Sequence, residues 1–395
     1  MSQATTTLSA DMKKLLIAQF LTAMADNAIL FVILAMILQG LLTGEGYLPA
    51  LQGCFLLAFV FLAPWVGSFA DTRSKPQVLM LANVVKGLGT LMMLGGVEPL
   101  IAYAVVGIGA AAYSPAKYGI LPEITQDNQA LMKSNSWVEG STIVAILLGT
   151  VVGAYIADIS ITMALILILC LYLVSAMSAL WMSKIPPAQT KSKENTLRMF
   201  KSTIQVLLES PRARFSTLGV SLFWAAAVVL RLIIMAWAPV VLLLSTATDV
   251  SLLTLFIALG IACGALLAPI IIPMAQLRRA RFAAYGLALG ILSLMLVTDL
   301  NTARTLLFFT GICGGLFVVP INAVLQDIGH QSVGSGRAVA VQHFFENLAM
   351  LIAIAAYTWA AQAGVASTTS MLVLGVFVLI ATMFIALNLP KQKPD

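Results

Sequence analysis

Apolar residues run along this chain in long blocks, each closed by a short cluster of charge, Gly or Pro. A helix that crosses a bilayer needs about 20 apolar residues. By that measure the blocks predict twelve spans, at 14–42, 48–70, 76–96, 99–121, 134–157, 160–183, 214–245, 250–274, 281–298, 303–326, 336–362 and 368–389. The longest polar interruption is 184–213, with Pro186, Pro187 and the bases Lys191, Lys193, Arg198 and Lys201. It falls after six spans. The pattern therefore predicts an all-α polytopic membrane protein. Its expected parts are an N-terminal six-helix half at 1–183, a cytoplasmic linker at 184–213 and a C-terminal six-helix half at 214–395.

Composition excludes a water-facing fold. The 395 residues are 60% hydrophobic and 10% charged, against roughly 25% charged in soluble domains. Too few polar side chains remain to coat a surface, so lipid must cover most of it. The net charge of +6 reads as cytoplasmic loops, not as nucleic-acid binding. With the N-terminus in the cytoplasm, 18 of the 22 Lys and Arg fall in cytoplasmic loops or tails. Lys86, Lys117 and Arg231 lie inside spans, and Arg304 alone stands on the far side, where Glu45, Glu98, Asp158, Asp249 and Asp299 gather. An even number of spans returns the C-terminus, with Lys391 and Lys393, to the cytoplasm. Residues 1–12 are polar and no small-residue cleavage site follows the first apolar run, so no cleavable signal peptide is expected. Cys54, Cys170, Cys263 and Cys313 sit in apolar runs without metal-ligand spacing. They read as packing residues, with no disulfide, metal or cofactor implied.

The halves echo each other. Span four ends Gly107-Ile108-Gly109, Pro115-Ala116-Lys117 and Leu121-Pro122-Glu123, and span ten ends Gly311-Ile312-Cys313, Pro320-Ile321-Asn322 and Leu325-Gln326-Asp327. Pro115 and Pro320 are 205 residues apart, and Glu139 and Glu346, near the starts of spans five and eleven, are 207 apart. Two near-equal offsets in consecutive spans indicate a duplicated six-helix unit, as in transporters built from parallel repeats. After span two comes Gly67-Ser-Phe-Ala-Asp71-Thr-Arg73-Ser-Lys75. Gly, Asp and a base at four-residue steps resemble the loop motif of the major facilitator superfamily. Gly67 allows close helix packing, Asp71 can reach a neighbouring helix end, and Lys75 can pair with an acid across the seam between halves. The alternative is an ordinary polar turn. The loop after span eight has Arg278, Arg279 and Arg281 but no matching Gly or Asp.

A charge at bilayer depth costs about 2.5–3.5 kcal/mol or more and points to function by default. Those present are Asp26, Lys86, Lys117, Glu139, Arg231 and Glu346, with Asn27, Asn83, Asn322, His343 and Asn347 as polar neighbours. Helical spacing sorts them into stripes. Gln19, Asp26 and Asn27 share a face of span one, Tyr113 and Lys117 one of span four, and Trp224 and Arg231 one of span seven. His343, Glu346, Asn347 and Met350 share one of span eleven. The competing reading is structural: Asp26 with Arg231 would join the halves, and Lys86 or Lys117 with Glu139 would fasten the first half. His343 beside Glu346 is a candidate titrating pair. Two mid-span bases and one acid suit a ligand with an anionic group and a cationic one, Arg binding phosphate through a planar fork and Lys as a point charge. An amphiphile fits better than a sugar, which would call for more Gln, Asn and Trp. A hydrophobic drug fits the composition equally well.

Several stretches resemble a known family. They are Ala18-Gln19-Phe20-Leu21-Thr22-Ala23-Met24-Ala25-Asp26-Asn27-Ala28, the run from Gly109 through Tyr113-Ser114-Pro115-Ala116-Lys117-Tyr118-Gly119 to Leu121, and Ser221-Leu222-Phe223-Trp224 with Leu230-Arg231. Val318 to Gln326 and Ala340-Val341-Gln342 with Glu346-Asn347 and Met350 continue the likeness into the second half. All resemble the LplT family of bacterial lysophospholipid transporters, in the major facilitator superfamily. The resemblance implies that spans one, four, seven and ten line a central cavity, which Asp26, Lys117, Arg231 and Asn322 would face. It implies headgroup or gating roles for Asp26, Asn27, Lys117 and Arg231, with Tyr113 on the Lys117 stripe. Lys86, Glu139, His343, Glu346 and Asn347 are expected to form a structural or coupling charge network. The implied function is a flippase, not an enzyme. It would move the ethanolamine and glycerol lysophospholipids from the outer to the inner leaflet of the bacterial inner membrane for re-acylation. Expected partners are these lipids and the bilayer, with any acyltransferase a separate cytoplasmic-side protein and the transporter itself a monomer. The rival function is a proton-coupled drug or organic-anion exporter with Asp26 or Glu346 as carrier.

Overall fold

The computed structural model describes residues 9–43, 46–124, 128–183, 196–272, 274–332 and 335–387. Thirteen α-helices occupy them: α1 (Ala10–Leu38), α2 (Tyr47–Asp71), α3 (Lys75–Leu94), α4 (Pro99–Ile124), α5 (Asn128–Ile159), α6 (Ile161–Leu180), α7 (Thr196–Glu209), α8 (Pro211–Val241), α9 (Ala247–Ile271), α10 (Ala280–Leu294), α11 (Leu300–Ser332), α12 (Ser335–Gln362) and α13 (Ser367–Leu387). No strand occurs among the described residues. Without water in the bilayer core, helices satisfy every backbone group internally. Eleven of these are long and apolar enough to cross a membrane.

The other two are α7 and α10. Helix α10 has 15 residues, about 22 Å of rise, short of a core about 30 Å thick. The predicted span 281–298 is completed by tighter turns, in which Met295, Leu296 and Val297 donate to Leu292, Ser293 and Leu294. A 3-10 turn at Met274–Arg279 precedes it. Helix α7 lies inside the stretch expected to be a plain linker. Its charges hide a helical period: Thr203 and Leu207 are buried and Phe200 and Ile204 half-buried, while Arg198, Lys201, Gln205 and Glu209 are exposed. The rest of that linker, 184–195, lies outside the described residues.

Local chemistry sets the helix ends. Ser160, Ser210 and Thr246 cap α6, α8 and α9 by accepting from the N–H groups of Met163, Ala213 and Asp249. Helix α1 stops earlier than its apolar run because Gly40 turns left-handed at φ 74°. The N–H of Gly40 then bonds Ile37 and that of Leu41 bonds Met36, which satisfies carbonyls the helix leaves open. Gly96 and Gly364 end α3 and α12 the same way. Leu243, after α8, takes φ 56° without being glycine.

Contacts divide the chain into two compact units, Met1–Val32 with Leu62–Lys193, and Ile33–Phe61 with Glu194–Asp395. The division follows packing, not the chain order used for the sequence halves. Early α2 lies along α12, where a Cβ at Gly53 would stand 3.8 Å from Ile354 Cγ2. In the first unit α5 sits tight on α1: Cβ atoms at Gly149 and Gly153 would come within 2.2 Å of Met24 O and 2.6 Å of Ala28 Cβ. In the second, Gly260 and Gly264 of α9 face Gly311 and Gly315 of α11. A Cβ at any of the four would stand 2.0–2.3 Å from a carbonyl oxygen of the other helix. Two small-xxx-small pairs thus let the backbones touch, the usual means of helix association in lipid.

Candidate functional site

In the first unit, polar side chains from α1, α3 and α6 meet on one ion pair. Lys86 Nζ donates to Asp26 Oδ2 at 2.7 Å and to Thr22 Oγ1 at 3.1 Å. Tyr172 OH donates to the other carboxylate oxygen, Oδ1, at 2.7 Å. Thr22 donates to Asn83 Oδ1 at 2.7 Å, Asn83 Nδ2 to Ser175 Oγ at 2.8 Å, and Ser175 Oγ to the Ala18 carbonyl at 2.6 Å. Every link is satisfied, as buried polar groups require. Lys86 keeps 1% of its side-chain surface and Asp26 keeps 23%, so the carboxylate is the accessible partner.

Tyr113, on α4, joins this group through its ring, whose centroid is 4.9 Å from Lys86 Nζ; the Tyr172 centroid is 5.7 Å away. Helix α4 can approach because Gly109 has no side chain: a Cβ there would stand 2.6 Å from the Ala82 carbonyl and 2.7 Å from Lys86 Cγ. Lys117, one turn on from Tyr113, is buried as well. Asn27 turns back on its own helix and donates to the Ala23 carbonyl at 2.9 Å. Gln19, two turns earlier, donates to Thr142 of α5 at 2.8 Å.

The structure thus regroups the sequence candidates. The sequence pattern assigns Asp26 to substrate and Lys86 to a separate network, yet they are one pair. Both carboxylate oxygens of Asp26 are engaged inside its own unit, by Lys86 and Tyr172. The side chain of Glu139, the alternative partner for Lys86, lies outside the described residues. Sequence reasoning passed over Thr22, Tyr172 and Ser175. Asn83, Lys86 and Thr90 follow at i, i+3 and i+7, and this stripe on span three carried the signal.

The loop motif also resolves locally. Only Thr72, Arg73 and Ser74 separate α2 from α3, so Lys75 opens a helix, with Pro76 beside it in the first turn. Its Nζ donates to Glu123 Oε1 at 2.5 Å, and the side chains keep 2% and 20% of their surface. The expected reach across the seam is met instead by an acid at the end of α4 in the same unit. Gly119 makes room, since a Cβ there would stand 2.7 Å from Lys75 Cε. Gly67 and Asp71 lie in the last turns of α2, and their side-chain surroundings are outside the described residues.

The second unit holds another cluster, between α11 and α12. Gln342 Nε2 donates to Asn322 Oδ1 and to Glu346 Oε1, both at 2.7 Å. His343 Nδ1 is 2.9 Å from Glu346 Oε2, and Asn347 Nδ2 donates to the His343 carbonyl at 2.6 Å. Glu346, Gln342 and Asn347 are buried, whereas His343 keeps 36% of its side-chain surface. The expected stripe is therefore real, and Gln342 is the member that ties it to Asn322. Arg231 is half-buried on α8, with Trp224 exposed two turns before it.

Residues 15–353 match the family model described as Major Facilitator Superfamily. The chain is 39% identical over 368 residues to the lysophospholipid transporter LplT of Photorhabdus laumondii, covering 92% of each chain. It is 40% identical over 360 residues to the lysophospholipid transporter LplT of Escherichia fergusonii, covering 90% of each. Among solved structures, the nucleoside transporter NupG aligns at TM-score 0.73 and 12% identity over 96% of this chain and 98% of its own. A bacterial homologue of the human lysosomal transporter Spinster, inward-facing and unoccupied, aligns at TM-score 0.69 and 14% identity over 98% of each chain. At such identities these two structures speak for the fold alone.

Proposed function

The chain belongs to the lysophospholipid transporter family of the major facilitator superfamily, and on that premise we propose that it carries lysophosphatidylethanolamine and lysophosphatidylglycerol from the outer to the inner leaflet of the bacterial inner membrane. Two six-helix halves would move alternately, with both termini in the cytoplasm. The lipid delivered there is the substrate of an acyltransferase that restores the missing chain, a separate protein in this reading. The transporter works as a monomer.

One observation carries the reading: an ion pair, Lys86 with Asp26, sits among apolar helices with its carboxylate the more open partner. A zwitterionic headgroup offers the same two charges in one molecule. It can meet the acid with its ammonium and a base with its phosphate, so neither charge is left bare in the bilayer. Lys117, on α4 of the same unit, supplies a phosphate-reading base, and Arg231 is the base proposed to read phosphate in the second unit. The acyl chain needs no polar partner and stays with the apolar helix faces or the lipid.

The test follows labelled lysophospholipids across vesicles holding the purified protein. Arg231→Ala should cut transport of both headgroup forms, and Asp26→Ala should cut the ethanolamine form more than the glycerol form. Equal loss of both on Asp26→Ala would remove the ammonium-reading role and leave gating. No movement by folded wild-type protein, with export of hydrophobic ions under a pH gradient instead, would replace the proposal with proton-driven export.

A further inference from the structure

The bases Arg278, Arg279 and Arg281, at the start of α10, have no part in the transport reading above. Between Asp249 and Asp299 the chain carries no acid, and α13 carries no charge at all. Arg281 is half-buried. Its Nε is buried without a hydrogen-bond partner among the described residues, although a buried polar group is normally paired. No carboxylate among them pairs with it either. The contact it does make is through the guanidinium carbon, 4.8 Å from the ring centroid of Phe282. A guanidinium is always charged and offers five N–H donors, and stacking on a ring leaves that hydrogen-bonding capacity unspent.

The same side chain lines a cleft between four helices. Phe215 and Leu222 of α8, Phe317 of α11, and Thr382 and Ile385 of α13 form the rest of its wall, around about 190 Å³ of empty space. All belong to the second unit. Thr382 donates its hydroxyl proton to the Val378 carbonyl, so the wall is apolar except for the base. Leu218, on the same face of α8 as Phe215 and Leu222, is 43% exposed, and Phe282 beside Arg281 is 61% exposed. The rim therefore reaches the surface of the unit, where apolar side chains of a membrane protein meet lipid. A base above an apolar cleft matches the outline of a phospholipid, anion at the head and chain below, and basic pockets between helices on the cytoplasmic side hold lipid headgroups in this way. An ethanolamine or choline headgroup would bring a cation that no acid here balances. A headgroup whose phosphate is its only charge leaves none over.

We propose that Arg281 and the cleft beside it form a binding site for an anionic two-chain phospholipid of the cytoplasmic leaflet, with the phosphate on the guanidinium and the first part of one acyl chain between Phe215, Leu222, Phe317 and Ile385. This lipid is a resident that ties α8, α10, α11 and α13 together at one end, not a cargo. The site does not rest on the transport reading, and a wild type that moves no lysophospholipid would leave it standing.

The test measures lipid retention by the purified full-length protein, delipidated in detergent. Native mass spectrometry should show phosphatidylglycerol retained in preference to phosphatidylcholine. Arg281→Gln should weaken that retention about tenfold, through loss of charge-assisted hydrogen bonds. Arg279→Gln removes the same charge from an exposed position and should leave retention within about twofold of wild type. Without lipid, Arg281→Gln should unfold no earlier than wild type, because no protein partner is lost, and phosphatidylglycerol should then raise the midpoint of wild type but not of the variant. Equal losses in the two variants, no loss in either, equal retention of phosphatidylcholine, or early unfolding of lipid-free Arg281→Gln overturns the proposal. Equal stabilisation by glycerol phosphate would make this a site for free anions. Tighter binding of lysophosphatidylglycerol than of the two-chain lipid would assign the cleft to transported lipid. Either result removes the resident lipid. If Arg281→Gln yields no folded protein, Arg281→Lys keeps the charge without the planar fork; its retention of phosphatidylglycerol should fall, and retention equal to wild type overturns the site.

Discussion

Gly264→Ala tests whether α9 and α11 touch through their backbones. A Cβ on Gly264 would stand 2.2 Å from the Ile312 carbonyl oxygen, where ordinary contact begins at 3.4 Å. The obstacle is backbone, so no rotamer change relieves it and α11 must retreat by roughly 1 Å. A gap of 0.5–1 Å already forfeits about a quarter to a half of the dispersion energy of the atoms along it. Overpacking of this kind costs about 1–3 kcal/mol, and the better helix propensity of Ala returns about 1 kcal/mol at most. The net expectation is a loss of about 1–2 kcal/mol, read as a lower unfolding midpoint of the purified protein in detergent. Trp224 and Trp237, on α8 of the same unit, serve as fluorescent reporters. Gly140→Ala is the counterpart. That glycine lies within α5 with nothing inside 4 Å of the added carbon, so only the propensity gain remains and the midpoint should rise. Adding Gly315→Ala to Gly264→Ala should cost less than the sum, because the first retreat makes room for the second methyl. A midpoint raised by Gly264→Ala, as by Gly140→Ala, would refute the close crossing.

Other expectations follow from single features. Leu243 holds φ 56° with 82% of its surface exposed; a left-handed residue with a Cβ costs about 1–2 kcal/mol, so Leu243→Gly should stabilise by about 1 kcal/mol in thermal unfolding, and a loss would show that the leucine side chain is needed there. Lys75→Met should destabilise by about 1–2 kcal/mol, since Glu123 loses its partner but stays open to solvent, and Lys75→Met with Glu123→Gln should recover most of it; a single variant no worse than the double would show the pair to be idle. The Phe200 ring packs edge-on against Phe344 at 5.4 Å, so Phe200→Ala should loosen α7 and speed hydrogen exchange over Thr196–Glu209 on the order of tenfold, whereas unchanged exchange would place the anchoring elsewhere on the helix.

What could be read in the sequence was what the bilayer enforces. Apolar length fixes where helices cross and sparse charge fixes which residues need explaining, so the spans and the charges within them were legible. The end of α1 at Gly40 and the tight turns after α10 were not, because hydropathy is indifferent to backbone conformation and only the left-handed glycine reveals the stop. Helix α7 was hidden for the opposite reason. Its exposed bases dominate a window average although Phe200, Thr203, Ile204 and Leu207 keep helical spacing.

The pairing of Lys86 shows where one-dimensional reasoning ends and what it should add. Sorting charges by span number kept Lys86 apart from Asp26, because a long side chain was credited with the position of its own helix. Lysine carries its charge several ångströms from its backbone, and in an apolar bundle it goes wherever an acid and hydroxyls can receive it. The better question of a buried base is which neighbouring helices hold a complete set of acceptors. Thr22 and Asp26 at i, i+4 on α1 form such a set, and Tyr172 and Ser175 at i, i+3 on α6 complete it. Apart from Asp26 none of them stands out alone, since Thr, Ser and Tyr are ordinary residues in a membrane helix. Their common spacing, on helices that must face α3 for Lys86 to be tolerated at 1% exposure, is the trace such a site leaves in a sequence.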